Sequence, residues 1–344
     1  MSELRKDPIV DRWVIIATER SRRPSDFNAT EIQPPAGAFC PFCPDNENRT
    51  PPEIAQWGRS AEAPANSTGW QVRVVPNKFP VLQNEGEPDP QGLGMFDFMN
   101  GIGSHEVIIE NPRHDWDFAG ATPAEMRVIL GAYKARLQEL RRDERLHYIV
   151  IFRNSGTTAG ATLAHPHSQV IALPIIPKQV KEQLDAAHEY YDRKSRCVFC
   201  DVIRQELSMK DRVVEVNEHF VVLSPFAARF PFELQIYPRR HSHDFTLMTD
   251  EETDALGATL ARNLCRLKRT LNDPPYNFML QTAPTLRARP SRPAAWGTIA
   301  HDYHWRIDIL PRLTRVAGFE WGTGFYINPV APEHATQLLQ EIEV

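Results

Sequence analysis

Apolar and polar positions along the chain fall into an order of strands and helices that occurs twice. His105-Glu-Val-Ile-Ile-Glu110 reads as a strand, with His114 just beyond it. Thr122-Pro-Ala-Glu125 combines an N-cap, proline at the first helical position and a capping-box glutamate. Met126, Ile129, Leu130, Tyr133, Leu137 and Leu140 then form an apolar stripe at helical spacing, which predicts a helix to about Asp143. His147-Tyr-Ile-Val-Ile-Phe152 is a further strand, and a small-residue loop leads from Asn154 and Gly156 into another apolar run ending at Leu173. Upstream, Gln71 to Val75 reads as a strand stopped by Pro76-Asn-Lys-Phe-Pro80, and Asp7 to Glu19 as a short strand or hairpin. Residues 25 to 70 have loop composition, and a loop of that length needs a staple.

The second half repeats this order. Phe232 to Tyr237 is a strand, followed by His241, a capping box at Thr249-Asp-Glu-Glu252 and a helix through Leu256, Leu260, Leu264 and Leu267. Tyr276 to Leu280 is the next strand. The steps Glu106–His114–Thr122 and Glu233–His241–Thr249 are eight and eight in both cases. Each half opens on Cys-x-Phe-Cys and closes on a strand led by histidine, His165-Pro-His167 and His304-Trp-Arg306. An internal duplication of an α+β unit follows. The expected fold class is α+β, with two antiparallel-sheet halves, residues 1–175 and 176–344, carrying helices on them. Residues 176–196 are the helical connector.

At 344 residues the chain exceeds a usual single domain, and 42% apolar content supplies a sizeable core. The net charge of −5 is spread out, so no basic nucleic-acid footprint appears. No apolar run approaches a membrane span, and the first residues do not read as a signal peptide, so the expected setting is cytoplasmic. There, cysteines read as ligands or core residues rather than disulfides. Four of the five form the pairs Cys40/Cys43 and Cys197/Cys200, and Cys265 lies in a helical pattern.

A Cys-x-x-Cys pair serves metal or redox chemistry. The first pair is followed by Asn- and Pro-rich loop, which speaks against redox use; the second is followed by a possible helix, so there the argument rests on the repeat. Cys40, Cys43, His114 and His165 form one candidate set, and Cys197, Cys200, His241 and His304 its equivalent. Each is a Cys2His2 set suited to structural zinc. His165 and His167 sit two apart and share a strand face. With His165 given to the metal, His167 remains free, and Arg306 stands at its place in the second half. A neutral imidazole is a competent nucleophile toward phosphorus. Gln169 lies further along the same face and can donate its amide, and the run Gly156 to Thr162 offers backbone N–H groups to the same anion. Arg20, Arg22 and Arg23 read by themselves as a solvated basic turn.

His165-Pro-His167-Ser-Gln169 resembles the His-Pro-His-x-Gln motif of the hexose-1-phosphate uridylyltransferases, the transferase branch of the histidine-triad superfamily. The resemblance spans nearly the whole chain. It includes Arg20-x-x-Arg23-Pro24, Pro76 to Pro80, Gly103 to Glu110, Pro225 to Glu233 and Phe319-Glu320. It implies two fused histidine-triad-like halves, with His167 as the nucleophile that carries a nucleotidyl group. It places Asn77, Phe79 and Asn154 on ribose and base, and Thr162 and Gln169 on the α-phosphate. It also puts Arg20 and Arg23 near phosphates, across a homodimer interface in the family. Glutamine at 169, where the superfamily's hydrolases carry histidine, implies transfer to an acceptor other than water.

Two departures are visible. Enteric-type relatives carry an iron site of one Glu and three His in the second half, where this chain offers a zinc-like set. Those relatives also close the hexose pocket with a glutamine a few residues past the position of Glu320; here Gly322 to Asn328, including Tyr326, occupies the stretch. That version looks like an ADP-glucose phosphorylase branch. The leading expectation is ping-pong transfer of UMP from UDP-glucose to a hexose 1-phosphate such as galactose 1-phosphate, with Glu320 and Tyr326 on the sugar side. The alternatives are ADP-glucose phosphorolysis by the same histidine, and a zinc-stabilised nucleotide-binding protein without turnover.

Overall fold

The computed structural model describes residues 2–20, 24, 27, 39–286 and 296–344, with the side chain of Arg20 excepted. Strands β1 (Glu3–Lys6) and β2 (Trp13–Ile16) form the expected N-terminal hairpin. Then come β3 (Ala55–Trp57), β4 (Val72–Pro76), a hairpin of β5 (Gln91–Leu93) and β6 (Phe96–Phe98), and β7 (Ser104–Ile109). Helix α1 (Pro123–Leu140) precedes β8 (Tyr148–Ser155) and β9 (His167–Leu173). The connector is α2 (Lys178–Lys194), followed by α3 (Val198–Met209). The second half continues with β10 (Val213–Val216), β11 (Phe220–Leu223), β12 (Leu234–Pro238), α4 (Asp250–Leu271) and β13 (Tyr276–Gln281). The chain ends with α5 (Ile299–Asp302), β14 (Arg306–Pro311), α6 (Gly318–Thr323), β15 (Tyr326–Asn328) and α7 (Pro332–Gln340).

Ten strands join in one antiparallel sheet, in the order β10-β11-β12-β14-β13-β8-β9-β7-β4-β3. The order is the same read outward from the centre in either direction. The halves therefore meet where β8 pairs with β13, and Phe152 lies opposite Met279 at the midpoint of the repeat. Each half alone would leave a long bare edge at this strand, and pairing the two edges removes both.

Helices α1 and α4 lie together on one face of the sheet and bury the main core, from Ile129, Leu130 and Leu137 to Leu256, Leu260 and Leu267. Both begin with complete capping boxes, at Thr122 and Thr249. They cross so closely that a Cβ at Gly257 would stand 2.8 Å from the Met126 Cβ. On the opposite face, α2 and α3 cover the second half through Val180, Leu184, Phe199 and Ile203. Over the first half, among the described residues, that face carries a small cluster of Trp70, Val75, Val107 and Ile109, with Phe42 against it.

One detail of the repeat is shifted. Val107 lies opposite Gln169, and Gln235 opposite Asp308, so these two are equivalent rungs. Glu106 and Glu233, matched by sequence spacing, are therefore one rung apart and on opposite faces, because side chains alternate along a strand. Glu106 points to α1 and forms a two-pronged ion pair with Arg136 at 2.8 Å. Glu233 instead pairs with Arg229 on the other face.

Candidate active site and metal centres

Both cysteine–histidine sets assemble. The ligand atoms of Cys40, Cys43, His114 and His165 lie within 4.8 Å of one another, and so do those of Cys197, Cys200, His241 and His304. Cys43 Sγ is 3.4 Å from His114 Nδ1 and 3.6 Å from His165 Nδ1; Cys200 Sγ is 3.3 Å from His241 Nδ1 and 3.6 Å from His304 Nδ1. A tetrahedron with metal–nitrogen bonds of about 2.0–2.1 Å and metal–sulfur bonds of about 2.3 Å has N···S edges of about 3.6 Å. The outer nitrogens are also fixed. His165 Nε2–H donates to the Asn111 carbonyl (2.8 Å), His241 to that of Ala300 (2.9 Å) and His304 to that of Pro238 (2.8 Å). This sets the tautomer that leaves Nδ1 free to bind a metal. Each set can hold a metal ion. Burial and the nearby Cys40 push the Cys43 thiol up to about 11, a cost that a bound cation removes by taking the thiolate.

The second cysteine pair does open a helix, with Cys197 as N-cap of α3. The two histidines facing Cys200 distinguish it from a dithiol built for redox exchange.

His167 follows from the first metal set. It begins β9 and is buried, and its Nδ1–H donates to the carbonyl of His165 at 2.8 Å. A carbonyl only accepts, so the proton sits on Nδ1 and the Nε2 lone pair is free. Burial lowers its basicity, while the His165 carbonyl and the Glu110 carboxylate oppose that shift, so the lowered group stays neutral near pH 7. Phe42, inside the Cys40–Cys43 turn, packs edge-on against His167 with ring centroids 5.4 Å apart. The metal knuckle is thereby also a wall for the imidazole.

Gln169 shares the face. Its Oε1 accepts from His105 Nε2–H at 2.8 Å, and His105 Nδ1 accepts from the Val81 N–H at 3.3 Å. With its carbonyl engaged, the glutamine presents its amide NH2 to the site. The Asn77 amide lies 3.0 Å from the same His105 nitrogen, and its Oδ1 accepts from the Phe79 N–H at 2.9 Å. The Phe79 ring is 81% exposed, available to stack on a base. Asn154 Oδ1 accepts from Asn277 Nδ2 at 2.9 Å, and Asn277 also donates to the Ala159 carbonyl at 2.8 Å. A residue of the second half thus ties down the loop before Thr162, which is exposed. Gly160 has φ +95, and a Cβ there would crowd the Asn154 amide at 3.4 Å. On the other side of the sheet, Glu110 accepts from Tyr133 (2.8 Å) and Ser168 and pairs with Arg153 at 3.0 Å, fixing the register of β7, β8 and β9 beneath His167.

Several expectations need correction or a limit. The N–H groups of Ala159, Gly160 and Ala161 are turned into their own loop, bonding to Gly156 and Thr157 carbonyls, so they form no anion cradle. Asn328, at the end of the stretch that stands in for the pocket glutamine, is buried, donates its amide to the Ala228 and Phe230 carbonyls and accepts from the Val330 N–H. Tyr326 packs on Phe230 at 5.5 Å, and Glu320 accepts from the Ala317 N–H at 3.0 Å; neither is joined to the His167 cluster by these contacts. Arg23 and the side chain of Arg20 lie outside the described residues. No helix among the described residues is long and apolar enough to cross a membrane. His105, Asn277 and Phe42 were not singled out by sequence; the only signal was a polar residue on an otherwise apolar strand, and an aromatic inside a metal knuckle.

Comparison with known proteins agrees with this arrangement. Residues 1–177 match the galactose-1-phosphate uridyl transferase N-terminal domain, and residues 183–320 the C-terminal domain. An ADP-glucose phosphorylase of Arabidopsis thaliana is 36% identical over 99% of this chain and 93% of its own. A galactose-1-phosphate uridylyltransferase of Thermotoga maritima is 28% identical over 100% of this chain and 99% of its own. Among solved structures, an Arabidopsis thaliana ADP-glucose phosphorylase with bound ADP-glucose superposes with a TM-score of 0.82 at 33% identity, covering 100% of both chains.

Proposed function

The chain belongs to the galactose-1-phosphate uridyl transferase family, of histidine-triad-like fold, and on that premise we propose that His167 carries a nucleotidyl group between a sugar nucleotide and a phosphate acceptor. The observation that carries the reading is the His167 Nδ1–H donated to the His165 carbonyl at 2.8 Å, which leaves Nε2 as a free lone pair. In the first half-reaction, Nε2 attacks the α-phosphorus, the bond to the bridging oxygen breaks and a hexose 1-phosphate leaves. In the second, an acceptor phosphate oxygen attacks the same phosphorus, and the P–N bond returns its electrons to the imidazole. The leaving group is a stabilised phosphate anion, so the step needs no strong general acid. The Gln169 amide steadies charge on the phosphoryl oxygens. Asn77, Phe79, Asn154 and Thr162 hold the nucleoside and α-phosphate, and Arg20 and Arg23 contact phosphates.

For the donor, we favour ADP-glucose with inorganic phosphate as acceptor. Two observations support it: the 36% identity to an ADP-glucose phosphorylase, and the stretch Gly322 to Asn328, which stands where enteric-type relatives close the hexose pocket with a glutamine and whose Asn328 and Tyr326 are engaged in packing. Exchange of UMP between UDP-glucose and galactose 1-phosphate is the second reading, supported by the 28% identity to the Thermotoga maritima enzyme over its length. We assign zinc to both metal sets. Four protein ligands close its shell, so it supplies folding energy and rigidity and takes no part in the transfer.

Incubating the protein separately with ADP-glucose and UDP-glucose, then measuring intact mass, tests the reading. An adenylyl adduct with ADP-glucose, absent in His167→Gly, is expected. A uridylyl adduct alone would select the second reading, and no adduct with either donor would refute covalent transfer.

A further inference from the structure

The two halves meet along β8 and β13, and one rung of that junction lies beside the nucleophile. Asn154 on β8 stands directly opposite Asn277 on β13. Phe152 lies opposite Gln169 of β9, so Asn154, two residues on, shares the face of Gln169 and His167. Asn277 lies on that face too, although it belongs to the half that carries Arg306 at the rung of His167. We propose that Asn277 is a positioning residue for nucleotidyl transfer, turning the Asn154 NH2 toward the bound nucleotide from the other half of the chain. The inference rests on the transfer reading and adds to it a residue supplied by the second half.

The direction of each amide follows from a backbone group. Asn277 Nδ2 donates to the Ala159 carbonyl at 2.8 Å and to Asn154 Oδ1 at 2.9 Å. A carbonyl only accepts, so the end of Asn277 that faces Ala159 is its NH2. The second hydrogen of that NH2 then meets Asn154, and the end it meets must be oxygen. Asn154 is left with its own NH2 on the other side, where a Cβ at Gly160 would come within 3.4 Å of it. Ribose and phosphate oxygens are acceptors, so this is the end a nucleotide requires. Without Asn277 the carboxamide can turn over and set its oxygen against those oxygens. Gln169 is held in the same way, through His105 to the Val81 N–H, so both amides on the face are aimed by chains that end on the backbone.

The duplication separates this role from scaffolding. About the Phe152–Met279 midpoint, Val150 takes the place of Asn277 and Gln281 that of Asn154. Val150 has no side-chain group to donate, and Gln281 accepts instead from the Tyr148 hydroxyl at 3.2 Å. A contact needed to join the two strands would be expected on both sides of the midpoint. The amide pair stands on the side that carries His167. Asn154 and Asn277 are both half-buried, so water can reach polar atoms that a substitution strands, which keeps the cost to the fold small.

Asn277→Leu removes both hydrogen bonds at similar volume and adds no charge. With the metal-loaded full chain, adduct formation from ADP-glucose and from UDP-glucose is timed by intact mass in single turnovers, for wild type, Asn277→Leu, Asn154→Ala and the double variant. Asn277→Leu is expected to slow the adduct about ten- to a hundredfold, with little shift in melting temperature. Asn277 has nothing to aim once Asn154 is alanine, so the double variant should match Asn154→Ala within about twofold. A purely structural role would instead multiply the two losses. A wild-type rate in Asn277→Leu, or a double variant slowed by the product of both factors, would overturn the inference while leaving covalent transfer standing. No adduct from wild type with either donor would refute the transfer reading, and the inference with it.

Discussion

His105 fixes the orientation of the Gln169 amide, and so which end it turns to the proposed phosphoryl site. A glutamine side chain can turn over, exchanging its NH2 for its carbonyl at little intrinsic cost. Here the carbonyl is held by His105 Nε2–H at 2.8 Å, and His105 is itself held by the Val81 N–H on Nδ1. His105→Phe removes the donor that holds the carbonyl, so the amide loses both its fixed orientation and its fixed position beside the phosphoryl oxygens. A drop in kcat of about ten- to a hundredfold with little change in KM is expected from steady-state kinetics with ADP-glucose and phosphate. His105→Gln, which can donate to the same carbonyl, should recover much of the loss. Equal rates in wild type and His105→Phe would rule out the positioning role. The residues that can hold a metal, such as Cys40, Cys43 and His165, were legible in the sequence because their type and spacing announce the chemistry, and His167, proposed here as the nucleophile, stood out by the same histidine spacing. His105 is visible in the sequence only as part of a motif, because its contact with Gln169 runs diagonally across two strands, which spacing does not reveal. Asn277 acts on Asn154 from the other half of the chain, which no local pattern encodes.

The long loop before β4 was expected to need a staple, and it has a second one besides the metal set. Glu53 accepts from Arg59 and from Arg73 Nε (3.0 Å), and Arg73 also reaches Thr50 and Asn66 at 2.9 and 3.0 Å. Burial raises the Glu53 pKa, but the hydrogen bonds from Arg59, the Asn66 N–H and Arg73 outweigh it and bring it down to about 2 from an ordinary 4.5. A depressed carboxylate contributes stability that is complete above its unfolded pKa and is lost as the pH falls through the folded one. Glu53→Gln should therefore lower the urea midpoint most at neutral pH, and the gap to wild type should close as the pH falls from 4.5 through 2. A gap independent of pH would show that the mutation acts through packing instead. The knuckle itself is tested by Cys40→Ser. Elemental analysis is expected to fall from about two zinc per chain to about one, with a lower melting temperature. Because Phe42 walls His167, the protein that remains folded should form its nucleotidyl adduct more slowly.

At the scale of the whole molecule, the duplication was readable because capping boxes, histidines and cysteines recur in order. We take residues 1–175 and 176–344 as its two copies. The union of both copies into one sheet was not readable, since the β8–β13 pairing joins residues more than a hundred positions apart. Nor was the parallel pairing of β15 with β2, which returns the end of the chain to its beginning. Among the described residues, one hairpin presents apolar side chains to solvent. The β5–β6 hairpin exposes Leu93 (70%), Met95 (96%) and Phe96 (74%). Single exposed apolar residues are ordinary, but a hairpin carrying this many marks an interaction surface. A second copy of the chain fits the proposed role of Arg20 and Arg23, which were expected to act across a dimer interface. Sedimentation velocity at micromolar concentration should show a dimer, and the pair Met95→Lys and Phe96→Lys should shift it to monomer. If the dimer completes the phosphate site, kcat/KM should fall with the dimer population and recover at higher protein concentration. A wild type that stays monomeric, or a double variant that stays dimeric, would place the interface elsewhere and leave the hairpin's exposed rings to another partner.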